Sequence, residues 1–414
     1  MKQNASFSLL AAALSLTLLS GCATSSAQDL MKDITPDNAV QQADVTSLRP
    51  YVADFGVRLF QQALSQEENT LLSPISALSA LAMTANGAQG ETLTQMENTL
   101  GLSVEQLNTY MGHLRSQLAQ DGESPLHLAN SIWFSDQDNL TVQPDFLQTA
   151  ADYYAAGAYQ APFDPSTVGE INRWVNQHTH GMIPEIVDEL SPDAVMYLVN
   201  ALAFEGDWEE PYQSYQVKTG TFTTSTGEQH QVELMYTQQD AYLEDDWATG
   251  FLQYYRDRNY AFVALLPREG ISVEEYVDTL SGEYLSKLLA HPIQTPVNTA
   301  LPKFSTQQTI PLETILPLMG MEAPFHVETA DFSTLGTCGE ANLYINRVLH
   351  KTFISVNERG TRAGAATSVE MNAGGSLPSS PPKKVILDRP FVYLLVDCRE
   401  NIPLFLGTMM DPTR

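Results

Sequence analysis

The chain has 414 residues, enough for one large domain or two ordinary ones, and its 43% hydrophobic content is that of a globular protein with a sizeable core. With 49 acidic residues against 21 basic ones the formal net charge is −28, which repels a polyanion and excludes nucleic acid as a partner. Its 3 cysteines make no disulfide framework, and no CxxC or His/Cys cluster suggests a metal, so neither metal nor cofactor is expected.

The N-terminus reads as a targeting segment outside the fold. Lys2 is a single basic residue ahead of the apolar run Phe7 to Leu19, which is too short for a comfortable membrane span. The run ends in Leu19-Ser20-Gly21-Cys22, which resembles a bacterial lipobox. That resemblance implies a signal peptide over 1–21 and lipidation of Cys22. It places the chain at the bacterial cell envelope, held by lipid with its body outside the cytoplasm. Ala23, where Asp would oppose it, is compatible with outer-membrane sorting. Residues 22–46 are polar and read as the lipidated Cys and a flexible tether. The body, 47–414, has no composition break and no fixed-period repeat. Cys338 and Cys398 remain in it, and the sequence leaves open whether they pair.

Val52, Phe55, Leu59, Phe60 and Ala63 lie at helical spacing and open the body. Ser73-Pro74 starts a second helix with proline at its first position, and Leu78, Leu81, Ala82 and Ala85 form its buried stripe. Further helices are expected at 144–156, 168–180, 272–290 and 311–319. Strand-like runs are 128–135, 195–204, 232–236, 251–255, 261–266, 295–304, 343–357, 385–387, 391–397 and 403–409. Helices dominate the first half and strands the second, so the class is α+β rather than alternating βαβ.

Residues 358–369 read Glu-Arg-Gly-Thr-Arg-Ala-Gly-Ala-Ala-Thr-Ser-Val. With a strand's period of two, one face carries Thr361, Ala363, Ala365, Thr367, Val369 and Met371. The other carries Arg362, Gly364, Ala366, Ser368 and Glu370 and tolerates solvent. Such runs are commonly plain loops, yet this one has the pattern of a strand able to slot over a core.

Enzyme signatures are missing: there is no GxSxG, HExxH, GxGxxG or P-loop. Ser380-Pro381-Pro382-Lys383 matches SxxK formally, but two prolines forbid the helix that motif needs. His178 and His180, two apart on an expected helix, point to different faces. The chain reads as a non-enzyme.

Several motifs in order resemble the serpin family of serine protease inhibitors over essentially all of 47–414. They are Asn69 to Ser76, Ile171 to Ile183, Leu198 to Trp208, Leu301-Pro302-Lys303-Phe304, His350 to Glu358, and Leu387-Asp388-Arg389-Pro390-Phe391-Val392. The resemblance implies a metastable α+β fold of three β-sheets and about nine helices. An exposed reactive loop, about 358–384, is offered as bait to a protease. It then inserts into the large sheet while still joined to the protease as an acyl-enzyme. The protein would act as a monomeric suicide inhibitor of serine proteases, with cysteine proteases as further partners.

The resemblance assigns the hinge to Glu358, Gly360, Thr361, Ala363, Ala365, Ala366 and Thr367. It pairs Glu358 with Lys303, makes Ser73, Asn200 and His350 a buried latch, and puts Trp208 beneath the loop's entry point. Counting forward from Glu358 puts the scissile bond at Gly374–Gly375, or Ala373–Gly374 one residue earlier. Counting back from Pro390 puts it near Ser379–Ser380. Insertion length is the stricter constraint, so the forward count is preferred. Small uncharged bait suits elastase- or subtilisin-like targets. Thr361→Arg is expected to block insertion with little loss of native stability. Arg362 and Glu205 stand where Glu and Lys are frequent in the family. The alternatives are a non-inhibitory serpin that only binds or is cut, and a hydrolase with an unrecognised Ser/His pair.

Overall fold

The computed structural model describes residues 27–37, 43–120, 126–137, 140–339, 342–361 and 381–414. Among them are nine α-helices and three β-sheets, of eight, nine and two strands. The eight-stranded sheet runs Gln28–Asp29, Gly157–Ala161, Leu126–Ser135, Met196–Phe204, Arg347–Val356, with Phe304–Pro311 beyond the last. Its centre is a parallel pair: Met196–Phe204 lies directly beside Arg347–Val356, in register from Tyr197↔Arg347 to Leu202↔Thr352. All nine residues of Met196–Phe204 are buried, as a strand covered on both faces must be.

One face of this sheet is covered by the helix Pro165–His178, capped by Asp164, whose carboxylate accepts from the N–H groups of Ser166 and Thr167. Its Ile171, Trp174 and Val175 pack on Trp133, Tyr197 and Val199. On the other face sits Pro74–Ala85, capped by Ser73. The apolar stripe expected of this helix understates it, because all twelve of its residues are buried. It is wedged between the two large sheets, and its exposed-looking serines turn toward buried partners.

Most expected elements are present, and the departures have local causes. The stretch 272–290 is two helices, Val273–Thr279 and Gly282–Ala290, because Leu280 turns extended and Ser281 starts a new cap. The stretch 311–319 is a single α turn, Leu312–Ile315, passing into a 3₁₀ turn, Leu316–Met319, where Pro317 removes a donor. Phe304–Pro311 continues as a strand past the expected end at Phe304. It is paired with Arg347–Val356 and is mostly polar, so it lacks the apolar alternation that announces a strand. The helices Gly90–Leu100 and Val104–Gln120 are additions to the expected set.

The segment expected to be a flexible tether is partly docked. Gln28 and Asp29 pair antiparallel with Gln160 and Tyr159 at the sheet's edge. The Leu30 N–H donates to the Ala158 carbonyl (2.9 Å), and Leu30, Met31 and Ile34 pack against the core. Val45 and Leu48 are also buried, so the body begins before residue 47. An edge strand leaves unpaired backbone groups, and this segment covers some of them.

Candidate functional site

The site lies where the loop leaves the sheet, at the end of the central parallel pair. After Val356 the chain makes a tight turn. The Asn357 N–H donates to the Gly360 carbonyl (3.0 Å), and the Arg359 N–H donates to the Asn357 side chain (2.9 Å). Gly360–Thr361 then runs back as a short strand, pairing with Val356 on one side and with Gly206 and Asp207 on the other. Gly206–Asp207 extends the line of Met196–Phe204, so Gly360 and Thr361 already occupy the end of the central pair. Only glycine fits at 360: a Cβ there would sit 2.0 Å from the Gly206 carbonyl oxygen.

The expectation that Thr361 becomes buried on insertion needs correcting, because it is buried already, at 1% exposure. Its hydroxyl shares a hydrogen bond with that of Tyr255. Burial pushes the Tyr255 phenol far up, so it stays neutral. This also corrects the expectation that Thr361→Arg leaves the native fold alone. Gly360 and Thr361, which the resemblance assigns to the hinge, are therefore already seated in the sheet. Of the other residues assigned to the hinge and reactive bond, Ala363, Ala365, Ala366, Thr367, Ala373, Gly374 and Gly375 lie outside the described residues, as does Cys22. At its far end the loop is shorter than expected, since Lys383 and Lys384 belong to the strand Lys383–Ile386, parallel to Ile293–Pro302.

Trp208 lies beneath this turn and is fully buried. Its indole N–H donates to the Asn357 carbonyl (2.9 Å) and its backbone N–H to that of Arg359 (2.8 Å). The ring stacks on Tyr255, centroids 4.6 Å apart. The Tyr212 N–H holds the Glu358 carbonyl (2.8 Å). Tyr255 and Tyr212 have no sequence signal, since nothing local links them to residue 358 or 361.

Glu358 and Lys303 pair at 2.9 Å, and Lys303 also reaches Glu233 at 3.4 Å. The Lys303 hydrogen bond holds the Glu358 carboxyl below its usual range. Partial burial opposes the charge on Lys303, but its bonds to Glu358 and Glu233 outweigh that and raise its pKa. Glu358 is nearly half exposed, so the pair contributes at most about 1 kcal/mol.

Deeper in the sheet is the buried polar cluster that the resemblance makes a latch. Asn130, Asn200 and His350 stand in one cross-strand row, Asn130↔Asn200 antiparallel and Asn200↔His350 parallel. All three meet the serines of the buried helix or its cap. The Ser73 N–H donates to His350 Nε2 (3.1 Å), which leaves the proton of the neutral ring on Nδ1, and Nδ1–H donates to Asn200 Oδ1 (3.0 Å). The Asn200 amide donates to the Ser76 carbonyl (2.7 Å) and to Asn130 Oδ1. The Ser76 hydroxyl donates to Asn200 Oδ1, and the Asn130 amide to Ser79 Oγ. Burial pushes the His350 pKa down to about 4. The resemblance points to Ser73, Asn200 and His350 but not to Ser76, Ser79 and Asn130. A signal exists: serines at 73, 76 and 79 line one helix face. Cys338 and Cys398 are not joined to each other.

A family model described as Serpin (serine protease inhibitor) matches residues 50–412. The chain belongs to the serpin family. Serpins are inhibitors of proteases rather than catalysts, and the α+β architecture of three sheets is theirs. An alpha-1-antitrypsin-like protein of Tamias sibiricus is 31% identical over 379 residues, covering 89% of each chain. The native-state crystal structure of tengpin, a thermophilic serpin, is similar with TM-score 0.89 and 43% identity over 93% of this chain and 100% of that one. Its latent-state structure is similar with TM-score 0.78 and 41% identity over 90% and 99%. The present fold is thus nearer to the native-state structure. That agrees with the central pair here, whose two strands are hydrogen-bonded directly to each other over most of their length.

Proposed function

We propose that this serpin is inhibitory and traps proteases by inserting its reactive loop into the large sheet. The observation that carries this reading is the seating of Gly360–Thr361 between the ends of the central strands, antiparallel to both. An antiparallel strand started there has one course, down the gap between Met196–Phe204 and Arg347–Val356. The residues that follow are small on the inward face, so nothing bulky opposes that course. About a dozen added residues, each hydrogen bond contributing roughly 0.5–1.5 kcal/mol net, stabilise the inserted form by on the order of 10 kcal/mol. That is comparable to the folding stability of a whole domain. Glu358 and Lys303 mark the hinge's upper end, and the Ser73, Asn200 and His350 cluster has to open before the strand can pass.

The bait bond is Gly374–Gly375, with small residues that suit the shallow pocket of an elastase- or subtilisin-like enzyme and exclude trypsin, whose pocket demands Arg or Lys. The body works as a monomer, held by lipid on Cys22 at a bacterial envelope, with the outer membrane as its site. The deciding experiment is incubation with subtilisin, elastase and trypsin, read on a denaturing gel. An SDS-stable complex with subtilisin or elastase and none with trypsin is expected. A nicked band alone would make it a non-inhibitory serpin. Gly374→Arg should add trypsin to the targets. If only Ser379→Arg does so, the bond lies in the longer register.

A further inference from the structure

The docked N-terminal segment has a direction and a place. Gln28 pairs with Gln160 and Asp29 with Tyr159, and the Leu30 N–H reaches the Ala158 carbonyl. The strand Gly157–Ala161 lies parallel to Leu126–Ser135, with Phe134↔Gln160, and Phe134 in turn faces Met196. Gln28 is therefore level with Met196, at the start of the central strand. The reactive loop enters at the other end, beyond Phe204, where Thr361 meets Gly206. Roughly ten residues of strand at about 3.3 Å each put the two ends on the order of 30 Å apart.

The segment climbs from the far end toward the loop, so Ala27, its first described residue, lies at the loop-distal pole. The Ala27 N–H is fixed there by the Glu170 carboxylate (3.0 Å), on the helix that covers the sheet. Downstream, the Thr35 carbonyl accepts from the Gln148 amide (2.9 Å), and the Asp37 N–H donates to the Asp152 carboxylate (2.6 Å). Residues 23–26 are all that separate Cys22 from Ala27. Even fully extended, a lipid on Cys22 lies within about 18 Å of Ala27.

We infer that the docked segment holds the molecule with its loop-distal pole against the lipid surface and its reactive loop pointing away from the membrane. This rests on the lipidation of Cys22 proposed above. Short tether and docking together set the orientation, not attraction between pole and lipid. Asp136, Asp164 and Asp193, all exposed at that pole, would repel anionic headgroups. The bait is thereby presented to proteases that diffuse in the aqueous phase rather than to ones embedded in the same membrane.

The test uses the full-length lipidated protein on phosphatidylcholine vesicles carrying a rhodamine-labelled headgroup as energy acceptor. A donor dye is placed on Asp193→Cys at the pole or on Glu210→Cys beside the loop, both positions being exposed. Cys338 is buried, and burial first, then the Asp397 charge, pushes the Cys398 thiol up to about 12, so neither competes for dye at neutral pH. Strong transfer from residue 193 and weak transfer from residue 210 are expected. Equal transfer, or stronger transfer from 210, on protein that floats with the vesicles overturns the orientation. Failure to float overturns the lipid anchor itself, and the orientation with it. Leu30→Asp with Ile34→Asp, which undocks the segment, should float as before and lose the difference between the two dyes. A difference that survives undocking overturns the role given to the segment.

Discussion

His350 is a histidine that must stay neutral. Its Nε2 accepts from Ser73 and its Nδ1–H donates to Asn200, so a second proton has no place to go without breaking the first bond. Burial lowers its pKa to about 4 from an unfolded value near 6.5. Between those values the unfolded chain binds the proton and the native chain does not. Native stability is therefore unaffected above about pH 6.5 and falls progressively as the pH drops from there toward 4. The melting temperature should decline over roughly pH 6.5 to 5, before most carboxylates titrate, and the decline should flatten in His350→Asn. An equal slope in the variant would place the acid sensitivity elsewhere. At Glu358 the magnitudes run the other way. The pair with Lys303 is partly exposed, so Glu358→Gln should cost under about 1 kcal/mol at low salt and nothing measurable at about 1 M.

The short strand Gly360–Thr361 is the element on which the proposed inhibition turns. It is two residues long, held by pairing with Gly206 and Asp207, the Tyr255 hydroxyl and the turn above Trp208. Thr361→Arg puts a cation against the buried face of Tyr255, at a cost of several kcal/mol, so the strand should be expelled. The expected outcome is a lowered melting temperature and a substrate-like nicked band in place of the covalent complex. Undiminished complex formation would sink the insertion reading. Gly360→Ala tests the same element by shape, because its Cβ collides with the Gly206 backbone. It should lower the melting temperature as Thr361→Arg does without introducing a charge.

At the scale of the whole molecule, the central sheet is closed along a seam that insertion would open. A strand between Met196–Phe204 and Arg347–Val356 doubles their separation from about 4.8 Å and breaks the Asn200–His350 bond. What the molecule gains is a full ladder on both sides of the new strand. Nicking within 371–380 should therefore raise the melting temperature, by roughly ten degrees or more for a gain on the order of 10 kcal/mol. Unchanged melting after a clean cut would identify a serpin whose loop does not insert.

The chain's order of motifs, its lack of catalytic signatures and the period-two pattern after Glu358 are legible from residues alone, because each is local or needs only spacing. So are the start of the helix at Ser73 and the polarity of Asn200 and His350 in otherwise apolar runs. The partners of those residues are not legible. Asn130 meets Asn200, and Tyr255 meets Thr361, through strand register between segments far apart in sequence. A period of two tells which face a side chain takes but not which strand lies next to it. The same reason hides the docking of Gln28–Asp29, since its polar sequence carries no apolar alternation and its stability comes from backbone pairing with an edge that only the folded sheet provides. Sequence determined which residues could enter the sheet. Tertiary structure decided that two of them already have.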